Sequence, residues 1–177
     1  IGMLYGGFAI LFFLIGGLEA LMIRTQLIVP NNRFVSAQLY NELFTMHGTT
    51  MIFLAVMPLN AAFFNLLVPI QVGARDVAFP FLNSLSLWLT ASGAGLVMLS
   101  LVIGKFSTAG WTGYPPYSGV EANPGVGVDY WIWAILISGV GSTLSGINFI
   151  VTILKRRAPG MTLMRMTPFV WTALVAS

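Results

Sequence analysis

His47 is the single histidine of the chain, and it stands in the stretch Tyr40–Leu54, which opens an apolar run continuing to Ile70. An unpaired polar side chain in lipid is costly, so this imidazole must face protein or a cofactor. Three roles fit it: a hydrogen-bonded structural histidine, a proton relay, or an axial haem ligand. It lies about ten residues into its helix, hence roughly 15 Å from the outer helix end at 1.5 Å per residue. No second ligand is visible in the chain, so a two-histidine haem site would need a partner from elsewhere. Periodicity alone does not choose between the three roles.

Other residues qualify the same question. Arg24 can snorkel to the outer interface, or its guanidinium can donate to a polar ring substituent of a cofactor held by His47. Glu19, a little over one turn earlier, could simply pair with Arg24. Asp76, on an inner loop, reads as a solvated carboxylate. Yet Asn83, Ser86 and Thr90 follow it at spacings of three and four, one polar stripe on an apolar helix. Ser138, Gly141, Ser142, Ser145 and Asn148 make a second stripe, and Asn65 sits near the inner end of the helix that carries His47. Small residues at such spacing are packing contacts between membrane helices. Read functionally, their hydroxyls and amides could hold a file of water leading inward from Asp76. From periodicity, packing has the edge. Trp111, Tyr114 and Pro115-Pro116 suit an interfacial aromatic belt, or a loop folded down as a lid over a buried cofactor.

The elements that must position these residues are membrane helices. The chain is 57% hydrophobic and 7% charged, where a soluble domain carries roughly a quarter charged residues. Apolar runs of the ~20 residues that cross a bilayer recur, and the short alternating segments of a transmembrane β-barrel do not. The expected class is all-α: a polytopic transmembrane bundle of four full helices and the start of a fifth. Their expected spans are 2–23, 37–70, 80–104, 129–154 and 168–177, in one domain over 1–177. Pro58 predicts a kink in the second helix. The stretch Pro168 to Ser177 looks like a helix cut off after its first turns, so the chain reads as part of a longer protein. No cleavable signal pattern is visible at the start. There are no cysteines, which removes disulfides, thiolate metal sites and iron–sulfur clusters from this chain. The net charge of +3 is carried in loops, so it speaks to topology and not to nucleic acid. Arg75, Lys155, Arg156, Arg157 and Arg165 fall in the loops after helices two and four, and basic loops favour the cytoplasmic side. The N-terminus and Asp76 are therefore expected inside, with Arg24, His47 and Trp111 toward the outside. The basic cluster itself reads as a topology determinant that meets lipid headgroups.

Taken together, Tyr40–Leu54, the run from Val68 to Asn83, Gly110-Trp111 to Pro116, Gly146–Phe149 and Arg157–Thr162 resemble subunit I of the haem–copper respiratory oxidases, in order and spacing across nearly the whole chain. The likeness is to the bacterial cytochrome c oxidase branch. It implies a twelve-helix subunit of which this chain is the N-terminal part. It implies that His47 is one axial ligand of the low-spin haem, a haem a, and that Arg24 hydrogen-bonds the haem formyl group. Trp111 would lie by the propionates, with Tyr40 and Met51 also at the cofactor. Asp76 would be the mouth of a proton channel along which Asn65, Asn83, Ser86, Ser138, Ser142 and Asn148 are polar positions, with Tyr5 near the mouth. These implied roles outweigh the packing reading of the stripes. Subunits II and III, cytochrome c, O2 and membrane lipid are the implied partners, in a bacterial plasma membrane.

The second haem ligand, the ligand of the oxygen-binding haem and the copper histidines belong to later helices in that family. A chain with one histidine cannot supply them, and this segment alone could not reduce oxygen. The quinol-oxidising relatives typically carry Arg, Asp and His where this chain has Ile15, Glu19 and Leu39, which favours cytochrome c as donor. Gln26 stands where many members have an acidic residue for a bound metal ion, so that ion is not expected. The competing readings are a quinol oxidase of the same superfamily, a non-redox transporter or channel subunit, and a structural membrane subunit.

Overall fold

The apolar runs fold as helices, and no strand occurs among the described residues, which are 1–103 and 106–177 of a computed structural model. Gly104 and Lys105, the expected end of the third helix and start of its loop, lie outside the described residues. Helix α1 spans Gly2–Gln26, α2 Ala37–Thr49, α3 Met57–Val72, α4 Pro80–Ile103, α5 Gly127–Lys155 and α6 Pro168–Ala176. Four continuous stretches are long and apolar enough to cross a membrane: Gly2–Gln26, Ala37–Val72, Pro80–Leu101 and Gly127–Lys155.

The second span is one helix with an irregular centre. Seven residues between α2 and α3, Thr50–Val56, form π-helical turns. The expected disturbance at Pro58 takes this form. Proline has no N–H to donate, and its ring crowds the carbonyl four residues back. A widened turn just before it accommodates both effects without ending the helix. The span ends where Gly73 adopts φ 71°, a left-handed cap in which Ala74 N–H donates to Pro69 O at 2.8 Å. A β-carbon on Gly73 would also meet the Ala158 side chain at 2.8 Å, so this position calls for glycine twice over.

Helices α4 and α5 make the closest pair. A β-carbon at Gly141 would stand 2.8 Å from the Ser86 carbonyl oxygen, and one at Gly93 would stand 2.6 Å from that of Ala134. Such approach is how membrane helices gain contact without a hydrophobic driving force. The buried apolar residues form three clusters. One joins Phe12, Met46, Leu54, Val97 and Ala134. A second joins Val68, Val72, Ile153 and Val170 at the α3–α5–α6 end. The third is Tyr5, Ala62 and Leu87.

The connections are tied down by hydrogen bonds. Gly110 N–H donates to Thr45 Oγ1 at 3.0 Å, and Asn123 Oδ1 accepts from both the amide and the hydroxyl of Thr108. The long loop after α4 is thereby folded onto α2. At the opposite end, Ala158 N–H donates to Val72 O at 2.8 Å. Arg157 spends its guanidinium on the carbonyls of Ile153 and Met161. It caps α5 and is therefore less available to lipid than its neighbours Lys155 and Arg156, which are exposed.

Candidate functional site

Two groups of polar side chains lie among the helices. The first starts at Asp76, exposed in the connection between α3 and α4, where its Oδ1 accepts from Val77 N–H at 2.7 Å. Helix α5 grips the residues that follow. Thr152 Oγ1 accepts from Ala78 N–H at 2.8 Å, Asn148 Oδ1 accepts from Phe79 N–H at 2.8 Å, and Asn148 Nδ2 donates to Phe79 O at 3.1 Å. One turn into α4, Asn83 donates to Asn65 of α3. The Asn83 Oδ1 atom is buried and has no partner among the described residues. Buried amide oxygens without a protein partner are places where an ordered water belongs.

Ser86, fully buried, joins three helices. It donates to its own helix at Asn83 O (2.8 Å), and it accepts from Ser145 Oγ of α5 at 2.8 Å. Its one proton is used by Asn83 O, so Tyr5 of α1 must be the donor in the 2.9 Å bond between Tyr5 OH and Ser86 Oγ. Beyond Ser86 the groove between α3, α4 and α5 widens into a cavity of about 470 Å³, lined in part by Tyr5, Thr90, Ser138, Ser142 and Ser145 with Phe53, Phe64 and Phe149 as apolar wall. From Asn83 to Thr90, α4 climbs about 10 Å at 1.5 Å per residue. Hydrogen bonds join Asn65, Asn83, Ser86, Tyr5 and Ser145 into one polar column, and Asn148 meets the connection below it at Phe79, three residues after Asp76. Ser138 and Ser142 stand farther along it, on the cavity wall, and Ser142 bonds its own helix at Gly139 O. Thr152, which neither stripe includes, is also fully buried here. Thr90 and Ser145 belong to the two stripes, and Thr152 extends the second by one turn past Asn148.

The second group surrounds His47. Its Nδ1 lies 2.9 Å from the Gly16 carbonyl oxygen of α1. A carbonyl can only accept, so Nδ1 carries the hydrogen, and in that tautomer Nε2 is the ring nitrogen left with a lone pair to offer. Donation of one ring N–H to a backbone carbonyl is the usual way a metal-binding histidine is oriented. The carbonyl is reachable because Gly16 has no side chain: a β-carbon there would stand 2.7 Å from Met51 Sδ. Gly48 plays a matching part for the loop, since a β-carbon there would stand 2.7 Å from the Trp111 ring. Trp111 is 40% exposed, with its ring centre 6.3 Å from that of Phe53. Met51 and Trp111 are thus both packed on glycines flanking His47. Tyr40 lies about two turns before His47 and lines a separate hollow with Gln26, Asn32 and Arg33. In that hollow Gln26 accepts from Val35 N–H and donates to Asn32 O. Arg24 is exposed, about 12 Å along α1 from Gly16. Glu19 does not face Arg24. It is buried, and Thr50 Oγ1 donates to its Oε1 at 3.5 Å. Five residues of helix rotate a side chain by about 140°, which puts Glu19 and Arg24 on different faces.

The family described as cytochrome c and quinol oxidase polypeptide I matches residues 1–177. The chain belongs to this family. Subunit I of the haem–copper oxidases is therefore its class, and an integral membrane protein is what the spans and the family together give. A cytochrome bo(3) ubiquinol oxidase subunit 1 of Buchnera aphidicola subsp. Schizaphis graminum is 53% identical over 177 residues, covering 98% of this chain and 27% of the relative. A cytochrome c oxidase subunit 1 of Bacillus subtilis is 54% identical over 172 residues, covering 97% and 27%. A ubiquinol oxidase subunit 1 of Acetobacter aceti is 54% identical over 165 residues, covering 92% and 25%. The chain spans about a quarter of the length of the relatives it matches. Oxidase subunit I family members work in multi-subunit complexes, and membership implies haem. The donor set found here fits that group, for His47 offers one oriented ring nitrogen.

Proposed function

We propose that this chain is the part of an oxidase subunit I that supplies one axial ligand of a low-spin haem and the inner entrance of a proton path. The observation that supports the reading is the His47 Nδ1 bond to Gly16 O, which leaves Nε2 available to ligate. A haem a held there supplies one-electron oxidation and reduction. His47 would hold its iron on one side; the second axial ligand, the second haem and the copper would be held by residues of the whole protein outside this segment. Met51 and Trp111 would pack at the cofactor's edge near His47, with Arg24 and Tyr40 toward its outer end.

The column supports the proton part. Asp76 would collect protons from the inner aqueous phase, with the N-terminus on that side. Asn65, Asn83, Ser86, Tyr5 and Asn148 would order water along the path, and Ser138 and Ser142 would continue it beside the cavity. Hydroxyls and amides both donate and accept, so they can hold a water file without fixing a charge in the membrane. The whole protein, with partner subunits II and III, would take electrons from cytochrome c, reduce O2 to water and move protons outward across a bacterial plasma membrane.

Cytochrome c as donor rests on Ile15, Glu19 and Leu39, which depart from the Arg, Asp and His of the quinol-oxidising pattern. Quinol is the second reading, favoured by relatives named ubiquinol oxidase at 53% and 54% identity. The purified complex, offered reduced cytochrome c or a quinol, decides between them. Rapid oxidation of cytochrome c is expected; oxidation of quinol alone would transfer the reading to quinol oxidase. A complex with all its subunits and no Soret band would end the oxidase reading.

A further inference from the structure

Asn148 and Thr152 make an unusual use of their side chains. Both are fully buried on α5, and both bond the backbone of a different connection, residues 78 and 79 between α3 and α4. Asn148 meets both backbone groups of one residue, Phe79, as a second strand would. Thr152 accepts from Ala78 N–H and passes its own proton to Asn148 O at 2.6 Å. The bond at Ala78 thus runs on through the Thr152 hydroxyl to the Asn148 backbone carbonyl, while the Asn148 side-chain amide holds Phe79 separately. The two consecutive bonds through the Thr152 hydroxyl polarise and strengthen one another. The clamp begins two residues after Asp76. Among the described residues, Asp76 has only the adjacent Val77 N–H as a hydrogen-bond partner, so its carboxylate stands where the 77–79 backbone puts it.

We propose that Asn148 and Thr152 act as positioning residues for Asp76, holding the 77–79 backbone so that the carboxylate faces the mouth of the polar column. Asn148 is then chiefly a backbone clamp and only secondarily a lining of the water path. The proposal deepens the proton-path reading of Asp76 and rests on it. Valine has the shape of threonine without the hydroxyl, so Thr152→Val leaves Ala78 N–H buried and unpaired while filling the same space. Thr152→Ser keeps the hydroxyl.

The test uses the complete, haem-loaded oxidase carrying Thr152→Val, Thr152→Ser or Asp76→Asn. Three quantities are read: proton uptake and turnover per haem, KM for the electron donor, and amide hydrogen exchange in a peptide covering residues 77–79. Thr152→Val is expected to slow proton uptake and turnover per haem about two- to tenfold, the size one net hydrogen bond gives a positional equilibrium. Donor KM stays unchanged, amide exchange over 77–79 speeds up, and Thr152→Ser returns to within about twofold of the parent. A purely structural threonine would lower the yield of loaded enzyme and leave turnover per haem intact, and that result overturns the proposal. Slow uptake in Asp76→Asn with parental uptake in Thr152→Val removes the clamp and leaves the path standing. Parental uptake in Asp76→Asn removes the path reading and the clamp with it.

Discussion

Removing the Ser86 hydroxyl strikes the point where three helices meet. Ser86→Ala deletes the bonds to Tyr5, Ser145 and Asn83 O at once. The Asn83 carbonyl can keep its helical bond, so the cost falls on the two donors. Tyr5 is 2% exposed and Ser145 6% exposed, so neither hydroxyl reaches bulk water when stranded. Two stranded buried donors at the low end of ~1–3 kcal/mol each give about 2 kcal/mol. Interhelical bonds measured in lipid average nearer ~0.6 kcal/mol, which sets the floor at about 1 kcal/mol for the pair. Tyr5→Phe removes one donor and strands none, because Ser86 merely loses one of two accepted bonds, so its cost is about 0.5–1 kcal/mol. In the double variant Tyr5 has no hydroxyl to strand. Its cost should therefore fall below the sum of the singles by about 1 kcal/mol. Equilibrium unfolding of the full-length subunit in mixed micelles, titrated with a denaturing detergent, measures all three. Costs that add to within ~0.3 kcal/mol would refute the shared hub.

Gly93→Ala should destabilise the same subunit by about 1–3 kcal/mol, because the new methyl meets Ser138 and, at 2.6 Å, the Ala134 carbonyl oxygen. Adding Ser138→Gly should recover only part of the loss, since the carbonyl cannot turn away; full recovery in the unfolding titration would place the clash on the serine alone. Gly48→Ala brings a methyl within 2.9 Å of three Trp111 atoms, and the half-exposed ring can move, so a cost of under ~1 kcal/mol is expected. Its readout is faster protease cleavage inside residues 110–123; an unchanged rate would show the loop is held by the Thr45–Gly110 bond without the ring.

The spans were legible because each is a long apolar run, and the stripe Asn83–Ser86–Thr90 was legible because helical spacing puts those residues on one face. What spacing cannot give is the partner across the gap. Nothing in the sequence says that Ser86 meets Ser145, that Asn148 bonds a loop backbone, or that Gly16 O receives His47. Those depend on how deeply one helix sits against another, set by glycines such as Gly93 and Gly141. Pro58 signalled a disturbance, but its form, π turns over Thr50–Val56, depends on which hydrogen bonds the neighbouring turn can give up. Glu19 and Arg24 looked like a pair because they are near in sequence; their different helix faces separate them. Thr152 could have been found by carrying the α5 stripe one turn farther. The functional weight of His47 came from its motif and not from its periodicity, which left a structural histidine equally open.

On the proposed reading, His47 holds an iron through Nε2 while Gly16 O orients the ring. Replacing His47 by Ala in the complete oxidase and recording the reduced-minus-oxidised spectrum per assembled subunit tests it most directly. The account predicts loss of the low-spin haem absorption with the subunit still inserted in the membrane. A low-spin haem spectrum equal to that of the parent enzyme would contradict it.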